Sequence, residues 1–545
     1  MSMTNATVAV ATWAPRPTLD SHASQAGRSQ TTGRDVFIGL LLFAAVWLSH
    51  LAYTSLSPPM DNIEQLNWVH SLEWGYFKHP PLPTWLIWLP VQLLGASAWT
   101  SYVVGAACTL AAMGLLWRLL VQLRGRGYAG VALLAALCIT YYNGRLYYYN
   151  HNVVLMLLST ASAALCWQAF ATRQLRWWIG LGVALGLGAL TKYQIAVTVA
   201  SVLVFAVHER AWRDAAHRVG ALLAALVALL MFVPHIEWLR AHDFGPIRYA
   251  VESSLGARVG GAKAIAESLH WLADQVLNRA LPAFILLGAT ALMSRERRPE
   301  ALALQSVQPG GQRHPARALL FAWGVVPLLF MPFVGVVFGA ELQLQWGTPF
   351  LLFLVPAVME LLPLRVWRRA DPRVALTTFV FIQVLLLVLS QLTSPRGPVA
   401  LRDHHWRTFD SALLAEIVAG PARVALGGPI RIVIGAGDEA GALALQLPEH
   451  PLVLIDGRLD RSPWVSKNLL RRCGAVQLGT ELALPGGHPV GAAFPGQVWR
   501  VVAPDPLAPE CTGQLSTKSG APTVAKWPPL SLSPSCQSRE AMTTP

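Results

Sequence analysis

Between residues 60 and 82 the chain carries three carboxylates (Asp61, Glu64, Glu73), one lysine (Lys78), two histidines (His70, His79) and four aromatics (Trp68, Trp74, Tyr76, Phe77). Asp61 and Glu64 are three residues apart, so on a helix they share a face. A carboxylate within hydrogen-bond reach of a hydroxyl can take its proton, which makes Asp61 and Glu64 candidate catalytic residues. The same spacing also fits a helix N-terminus, with Asp61 capping and Glu64 completing a capping box. Further along stand cations that could clamp a phosphate as it leaves: Lys78, Arg145, Lys192 and Arg248, with Arg240 beside them. Trp74, Tyr76, His79, Tyr193, His235, Glu237 and Trp346 are candidates to line a substrate site, although such aromatics also form ordinary interfacial belts. His79, His235 and His242 lack a metal-ligand spacing, so no metal and no cofactor are expected.

These residues are spread through a chain built for a bilayer. The 545 residues are 54% hydrophobic and 13% charged, with mean hydropathy +0.44; soluble domains carry about 25% charged residues. Many apolar runs approach the roughly 18 residues needed to cross hydrocarbon. The spacing predicts a disordered tail over 1–35 and a polytopic α-helical region over 36–393 with about eleven crossings. These are placed at 36–56, 98–117, 128–141, 153–171, an out-and-back pair within 177–208, 219–234, 276–293, 318–338, 347–363 and 374–393. Residues 83–95 are apolar but too short to cross, and read as an interfacial or re-entrant helix. Within 177–208 there are about 14 residues each way, about 21 Å of helix, less than the roughly 30 Å core. Lys192 is therefore expected at a turn sunk inside the bundle, where an ionisable residue is a functional candidate.

The formal net charge of +13 reads as topology rather than as nucleic-acid binding. Successive loops on one side hold 3, 2, 3, 5 and 4 Lys and Arg; the opposite loops hold Lys78, Arg145, Lys192, four in 236–275 and none in 341–346. The positive-inside rule then puts the N-terminus in the cytoplasm. The loops 57–97, 142–152, 236–275 and 339–346 all face outward together, with a C-terminal region, 394–545, on the same side.

That region has an α/β pattern, with buried strands expected at Arg431–Ile434 and Leu452–Ile455. Gly435-Ala436-Gly437-Asp438-Glu439-Ala440-Gly441, with Asp456 about twenty residues on, mimics a dinucleotide fingerprint. Its outward location favours a plain strand-to-helix turn. Cys473, Cys511 and Cys536 lie here, and Cys511–Cys536 is the favoured disulfide in an oxidising compartment.

The stretch from Asp61 through Trp74-Gly75-Tyr76-Phe77-Lys78-His79-Pro80-Pro81-Leu82 resembles the family-39, ArnT- and protein-mannosyltransferase-like glycosyltransferases of the GT-C fold. Asn150-His151-Asn152, Thr191-Lys192-Tyr193, Pro234-His235-Ile236-Glu237-Trp238 with His242-Asp243-Phe244, and Trp346 are similar to later landmarks of that family. The resemblance covers roughly residues 36–393. It implies an inverting hexosyl or pentosyl transferase that takes a sugar from a polyprenyl-phosphate carrier and gives it to a lipid, glycan or protein. By resemblance Asp61 is the base or acceptor-orienting carboxylate, and Lys78 and Lys192 hold the carrier phosphate. Two positions depart from the pattern. The family often has adjacent Asp-Glu where this chain has Asp61-Asn62, with the second acid at Glu64. A common aspartate of the second outer loop is here Asn150 or Asn152.

The expected protein is thus a multi-pass enzyme of the cytoplasmic (inner) membrane with its active site and C-terminal domain outside. Its partners are a polyprenyl-phosphate sugar donor, an acceptor and membrane lipids, with no nucleic acid. The alternative is a lipid-linked sugar transporter or flippase. That reading calls for polar residues threaded through several spans and for inverted repeats, and the sequence displays neither.

Overall fold

The computed structural model describes residues 32–255, 260–294, 315–402, 406–508 and 511. The tail expected over 1–35 lies outside the described residues except for its last four. Helix α1 (Gly33–Thr54) starts earlier than hydropathy alone suggests, because Thr32 and Asp35 form a reciprocal capping box. A short polar helix α2 (Met60–Trp68) follows, then a loop, then the apolar α3 (Leu82–Leu94), the short helix expected over 83–95.

The bundle continues with α4 (Ala98–Arg124), α5 (Arg126–Ala136), α6 (His151–Thr172), α7 (Leu175–Ala189), α8 (Ile195–His208) and α9 (Ala215–Ala241). After α10 (Gly245–Ala250) come α11 (Gly261–Ala273) and α12 (Leu281–Met293), then α13 (Pro315–Phe338), α14 (Leu354–Met359), α15 (Leu364–Arg368) and α16 (Pro372–Leu392). Among the described residues, six helices (α1, α4, α6, α9, α13 and α16) are long and apolar enough to cross a membrane. A seventh is the bent pair Gly261–Arg279 and Leu281–Met293, broken by 50°. Besides the short out-and-back pair within 177–208, two of the eleven expected crossings are not long helices. At 11 residues, α5 is about 16 Å long, and the chain then runs through turns to residue 149; 347–363 consists of 3₁₀ turns and the six-residue α14. Both stretches are apolar because protein covers them, a burial that hydropathy does not separate from burial in lipid.

Helices α7 and α8 are 15 and 14 residues long, and Lys192 lies in the turn joining them, as their length requires. Close packing holds α7 to α9: a Cβ added at Gly182 would stand 2.5 Å from the Ala224 carbonyl oxygen, so this crossing needs a residue without a side chain. Buried polar pairs brace the rest. The Trp47 indole donates to Gln383 Oε1 at 2.9 Å, and Gln383 donates to the Leu137 carbonyl at 3.2 Å. Arg124 makes a two-pronged ion pair with Glu360 at 2.8 and 2.9 Å.

Past the bundle, α17 (Ser411–Leu426), α18 (Gly437–Gln446) and α19 (Lys467–Cys473) accompany a five-stranded sheet in the order β2-β1-β3-β5-β4. Strands β1 (Ile432–Gly435), β2 (Leu452–Ile455) and β3 (Ala475–Thr480) run parallel; β4 (His488–Pro489) and β5 (Gln497–Val502) extend the sheet antiparallel. The two strands expected from sequence are β1 and β2, paired with Ile432 opposite Leu452. The disulfide joins Cys473 to Cys511, with Cα atoms 4.9 Å apart, and not Cys511 to Cys536. Cys473 ends α19 and is carried to Cys511 by the packing of β3 and β5, a proximity that chain spacing does not reveal. Cys536 lies outside the described residues.

The glycine-rich turn opens α18, which lies against α2. A Cβ on Gly441 would come within 2.3 Å of Ile63 Cγ2 and 2.8 Å of the Asn67 amide, and Asn67 donates to the Gly437 carbonyl at 2.9 Å. These glycines therefore let two helices touch. The sequence reading of a plain strand-to-helix turn fits this geometry; a dinucleotide would need the space that α2 occupies.

Candidate active site

Helix α2 is clamped on both sides. Toward the bundle, Asn62 is fully buried and uses its whole amide. It donates to Ser101 Oγ at 2.9 Å and to the Tyr147 carbonyl at 2.8 Å, and accepts from the Tyr149 amide at 2.8 Å. Thr84 donates to Gln65 at 2.9 Å. Toward the C-terminal region, Ile63 and Asn67 meet Gly441 and Gly437. With its buried faces fixed, α2 turns Asp61 and Glu64 toward a cavity, Asp61 exposed and Glu64 half-buried. The acid displaced from position 62 is thereby explained: a side chain at 62 points into the protein and could not reach substrate. The capping reading does not hold, since Pro59 is the N-cap and no side chain caps the helix.

Two adjoining cavities meet at Asp61. The larger, about 580 Å³, is lined by Asp61, Glu64, Lys78, His79, Asn150, His151, Asn152, Lys192, Tyr193, Gln194 and Trp346, with Tyr249 and the apolar Ala196, Val197, Phe330, Met331 and Val334. The smaller, about 190 Å³, is lined by Met60, Asp61, Tyr141, Arg145, Tyr148, Asn150, Val153, Gln345, Thr348 and Trp406. Asp61, Asn150 and Gln345 border both. Asn150 positions Asp61: its Nδ2 donates to Asp61 Oδ2 at 2.8 Å, while its Oδ1 caps α6 by accepting from the Val153 amide at 3.0 Å. An aspartate at 150 would face a second carboxylate across that distance. Asparagine supplies a donor and leaves Asp61 free to carry charge.

The two lysines differ. Lys78 is paired with Glu64 at 2.5 Å. Burial works against its ammonium, but the Glu64 carboxylate outweighs that and holds Lys78 above its ordinary range. The same burial pushes the Glu64 carboxyl upward, with Lys78 opposing. Lys192 has no carboxylate partner among the described residues. Its Nζ donates to Asn152 Oδ1 at 2.7 Å and stands 5.4 Å from the centre of the Trp346 ring. Held by an amide and an aromatic face, with the Asp61 carboxylate acting on it without forming an ion pair, this cation has no direct salt-bridge partner and can take an anion. Trp346 is fixed by Gln194, which donates to its carbonyl at 3.0 Å. His79 stacks near His151 with ring centres 4.1 Å apart. Burial, with His151 and both lysines nearby, holds His79 well below its usual range, so it is neutral.

The remaining sequence candidates lie elsewhere. Tyr76 is buried, stacked on Trp68 at 4.5 Å, and belongs to the core shared with the C-terminal region. Trp74 packs edge-on against Trp85 and offers its carbonyl to His235. His235 is fully buried behind the cavity; it donates to that carbonyl at 2.6 Å and accepts from the Tyr193 hydroxyl at 2.8 Å. It thus sets Tyr193 without lining the space itself. Glu237 and Arg248 are exposed and border neither cavity. Arg145 belongs to the small cavity and stands apart from the lysine group. Sequence reading did not single out Gln345, Thr348 or Trp406. Trp406 lies beyond the last span, where hydropathy gives no hint that the chain returns to the site.

Among known proteins, the fold is shared with crystal structures of ArnT from Cupriavidus metallidurans, one bound to undecaprenyl phosphate and one in the apo state. Over 85% of this chain and 98% of theirs, the TM-scores are 0.56 and 0.55 at 16% identity. The chain has the ArnT-like GT-C fold. Within it, residues 78–238 match the family model described as dolichyl-phosphate-mannose-protein mannosyltransferase. Curated relatives from Rhizobium johnstonii include the lipopolysaccharide core galacturonosyltransferase RgtA, 25% identical over 58% of this chain and 62% of that protein. RgtB, of the same description, is 25% identical over 60% of this chain and 65% of its own length. The lipid A galacturonosyltransferase RgtD is 24% identical over 43% and 48%. The chain therefore spans between about half and just under two thirds of the length of these relatives. The matched segment runs from Lys78 to Trp238 and contains Arg145, Asn150 and Lys192; in the ArnT-like fold, α2 with Asp61 lies just ahead of it.

Proposed function

We propose that this protein transfers a sugar from a polyprenyl-phosphate carrier to an acceptor hydroxyl or phosphate on a lipid, glycan or protein. The observation that carries the reading is Asp61, held by Asn150 at the junction of two cavities, one of which contains a lysine in no ion pair among the described residues. The carrier phosphate binds Lys192, with Lys78 beside it, and its isoprenoid runs along the apolar wall of Val197, Phe330, Met331 and Val334. Asp61 takes the proton of the attacking acceptor as the oxygen bonds to the anomeric carbon. The bond from that carbon to the phosphate oxygen breaks, the electron pair leaves with the phosphate, and the lysines stabilise the departing charge. Entry of the acceptor from the side opposite the lysines gives inversion. No cofactor or metal has a step in this scheme. Glu64 serves to hold Lys78. The matched relatives differ in acceptor by name but share galacturonic acid as the transferred sugar, which makes a hexuronic acid the sugar proposed here. The arginine distribution supports placement in the cytoplasmic membrane, with the site and the C-terminal region outside.

Reconstitution in proteoliposomes with a radiolabelled polyprenyl-phosphate sugar and a native membrane extract tests this. The expected result is protein-dependent release of free polyprenyl phosphate with label on a new product. Intact donor appearing across the bilayer, uncleaved, would establish the flippase alternative.

A further inference from the structure

We propose that Arg145 recognises the carboxylate of the donor's hexuronic acid, making it the residue that selects an acidic sugar. The inference rests on the transferase reading above and adds the group that reads the sugar. Arg145 is half-buried, and its guanidinium stands 5.4 Å from the ring centres of both Tyr141 and Tyr148. Tyr141 cannot swing away, because its hydroxyl donates to the Leu344 carbonyl. On the same Tyr141 ring lies a second guanidinium, Arg279 at 5.0 Å, but that one is neutralised by Asp274 at 3.0 Å. Arg145 has no such partner: no carboxylate or other acceptor takes its N–H groups among the described residues. Two aromatic faces hold a planar, charged, five-donor fork in place and leave it unpaired at the wall of a cavity of about 190 Å³. That arrangement suits a carboxylate bound through two parallel hydrogen bonds.

The position fits the sugar as well as the charge does. The small cavity joins the lysine cavity through Asp61 and Asn150. In a hexopyranose the C6 group stands on the carbon across the ring oxygen from the anomeric carbon. A sugar with its anomeric carbon at Asp61 and its phosphate toward Lys192 can therefore place C6 in the neighbouring space. A carboxylate there meets Arg145; a hydroxymethyl group leaves that guanidinium unneutralised. Gln345 and Thr348 on the same wall offer neutral partners for ring hydroxyls.

The experiment is a binding titration of the purified full chain in nanodiscs, without acceptor, using two synthetic donors: galacturonosyl- and galactosyl-phosphoryl polyprenol of one chain length. The wild type is expected to prefer galacturonate by about 10- to 100-fold, the range of a charge-assisted hydrogen bond. Arg145→Gln should reduce that preference to within about threefold, and Arg145→Lys should retain part of it. Lys192→Gln should weaken both donors together and leave the preference standing. A wild type that binds galactose as tightly as galacturonate overturns the role of Arg145 while leaving the transferase reading in place. So does an Arg145→Gln variant that keeps the full preference. A wild type that binds neither donor overturns the transferase reading and this inference with it.

Discussion

The two cavities that meet at Asp61 are built on opposite plans. The larger has one cation already satisfied, Lys78 on Glu64, and one left free, Lys192. Its far wall is apolar. The smaller has tyrosines, a tryptophan, neutral polar groups and a single unpaired guanidinium. A phosphate on a long hydrocarbon suits the first plan and a single sugar ring suits the second. Under the proposed function, the difference divides donor recognition: one chamber would hold what all polyprenyl carriers share, the other what distinguishes one sugar from another. Asp61 belongs to neither alone, and Asn150 keeps it on the boundary.

The largest expected effect that would sharpen this division is at Lys192. Lys192→Ala should raise the donor KM by about 10- to 100-fold, the weight of a lost charged hydrogen bond, while acceptor KM changes little. Steady-state kinetics with each substrate varied in turn will show it, and equal rises for both substrates would merge the chambers.

A smaller effect should follow from Asn150→Asp. It places two carboxylates at hydrogen-bond distance, and such a pair shares a proton. The shared proton blocks the base at neutral pH and is lost as pH rises. Turnover should therefore fall about tenfold at pH 7 and recover toward alkaline pH, a slope absent from the wild type. A pH–rate profile that keeps the wild-type shape would separate Asn150 from Asp61.

Smaller again is the expected effect of Gly441→Ala, which intrudes on Ile63 where α18 crosses α2. Overpacking of this kind costs about 1–3 kcal/mol. The variant should lose a few degrees of thermal stability and a few-fold in kcat, with donor KM changing less, because α2 carries Asp61 whereas Lys192 lies in the turn between α7 and α8. A thermal melt paired with kinetics checks this. An unchanged kcat would mean that the C-terminal region does not set the position of Asp61.

Much of the candidate site was legible in the sequence, and the reasons are particular. Asp61, Glu64, Lys78, His79, Lys192, Tyr193 and Trp346 border one cavity, because loops at one end of a bundle converge and charge counting assigned those loops to one face. Lys192 was placed by arithmetic, since two helices of 15 and 14 residues are too short to cross and return. Trp74, Tyr76 and His235 have the right chemistry and the right loops but point into packing. Nothing in their spacing distinguishes a ring that faces a cavity from one stacked on Trp68 or Trp85. Arg145 was grouped with the lysines because sequence gives charge without direction. The α/β strands were legible as short apolar runs, whereas the partner of Cys473 depended on the folding of the sheet. Gly441 looked like part of a nucleotide motif until the helix lying on it was seen.

In the proposed reaction Asp61 is the base at the boundary and does not itself hold the donor. The most direct measurement compares Asp61→Asn with wild type in one reconstituted preparation, reading donor binding and sugar transfer together. Loss of a general base costs about 10²- to 10⁴-fold. A turnover loss of that size is expected, with donor affinity within about threefold of wild type. Near-normal turnover, or a loss explained entirely by failure to bind donor, would contradict it.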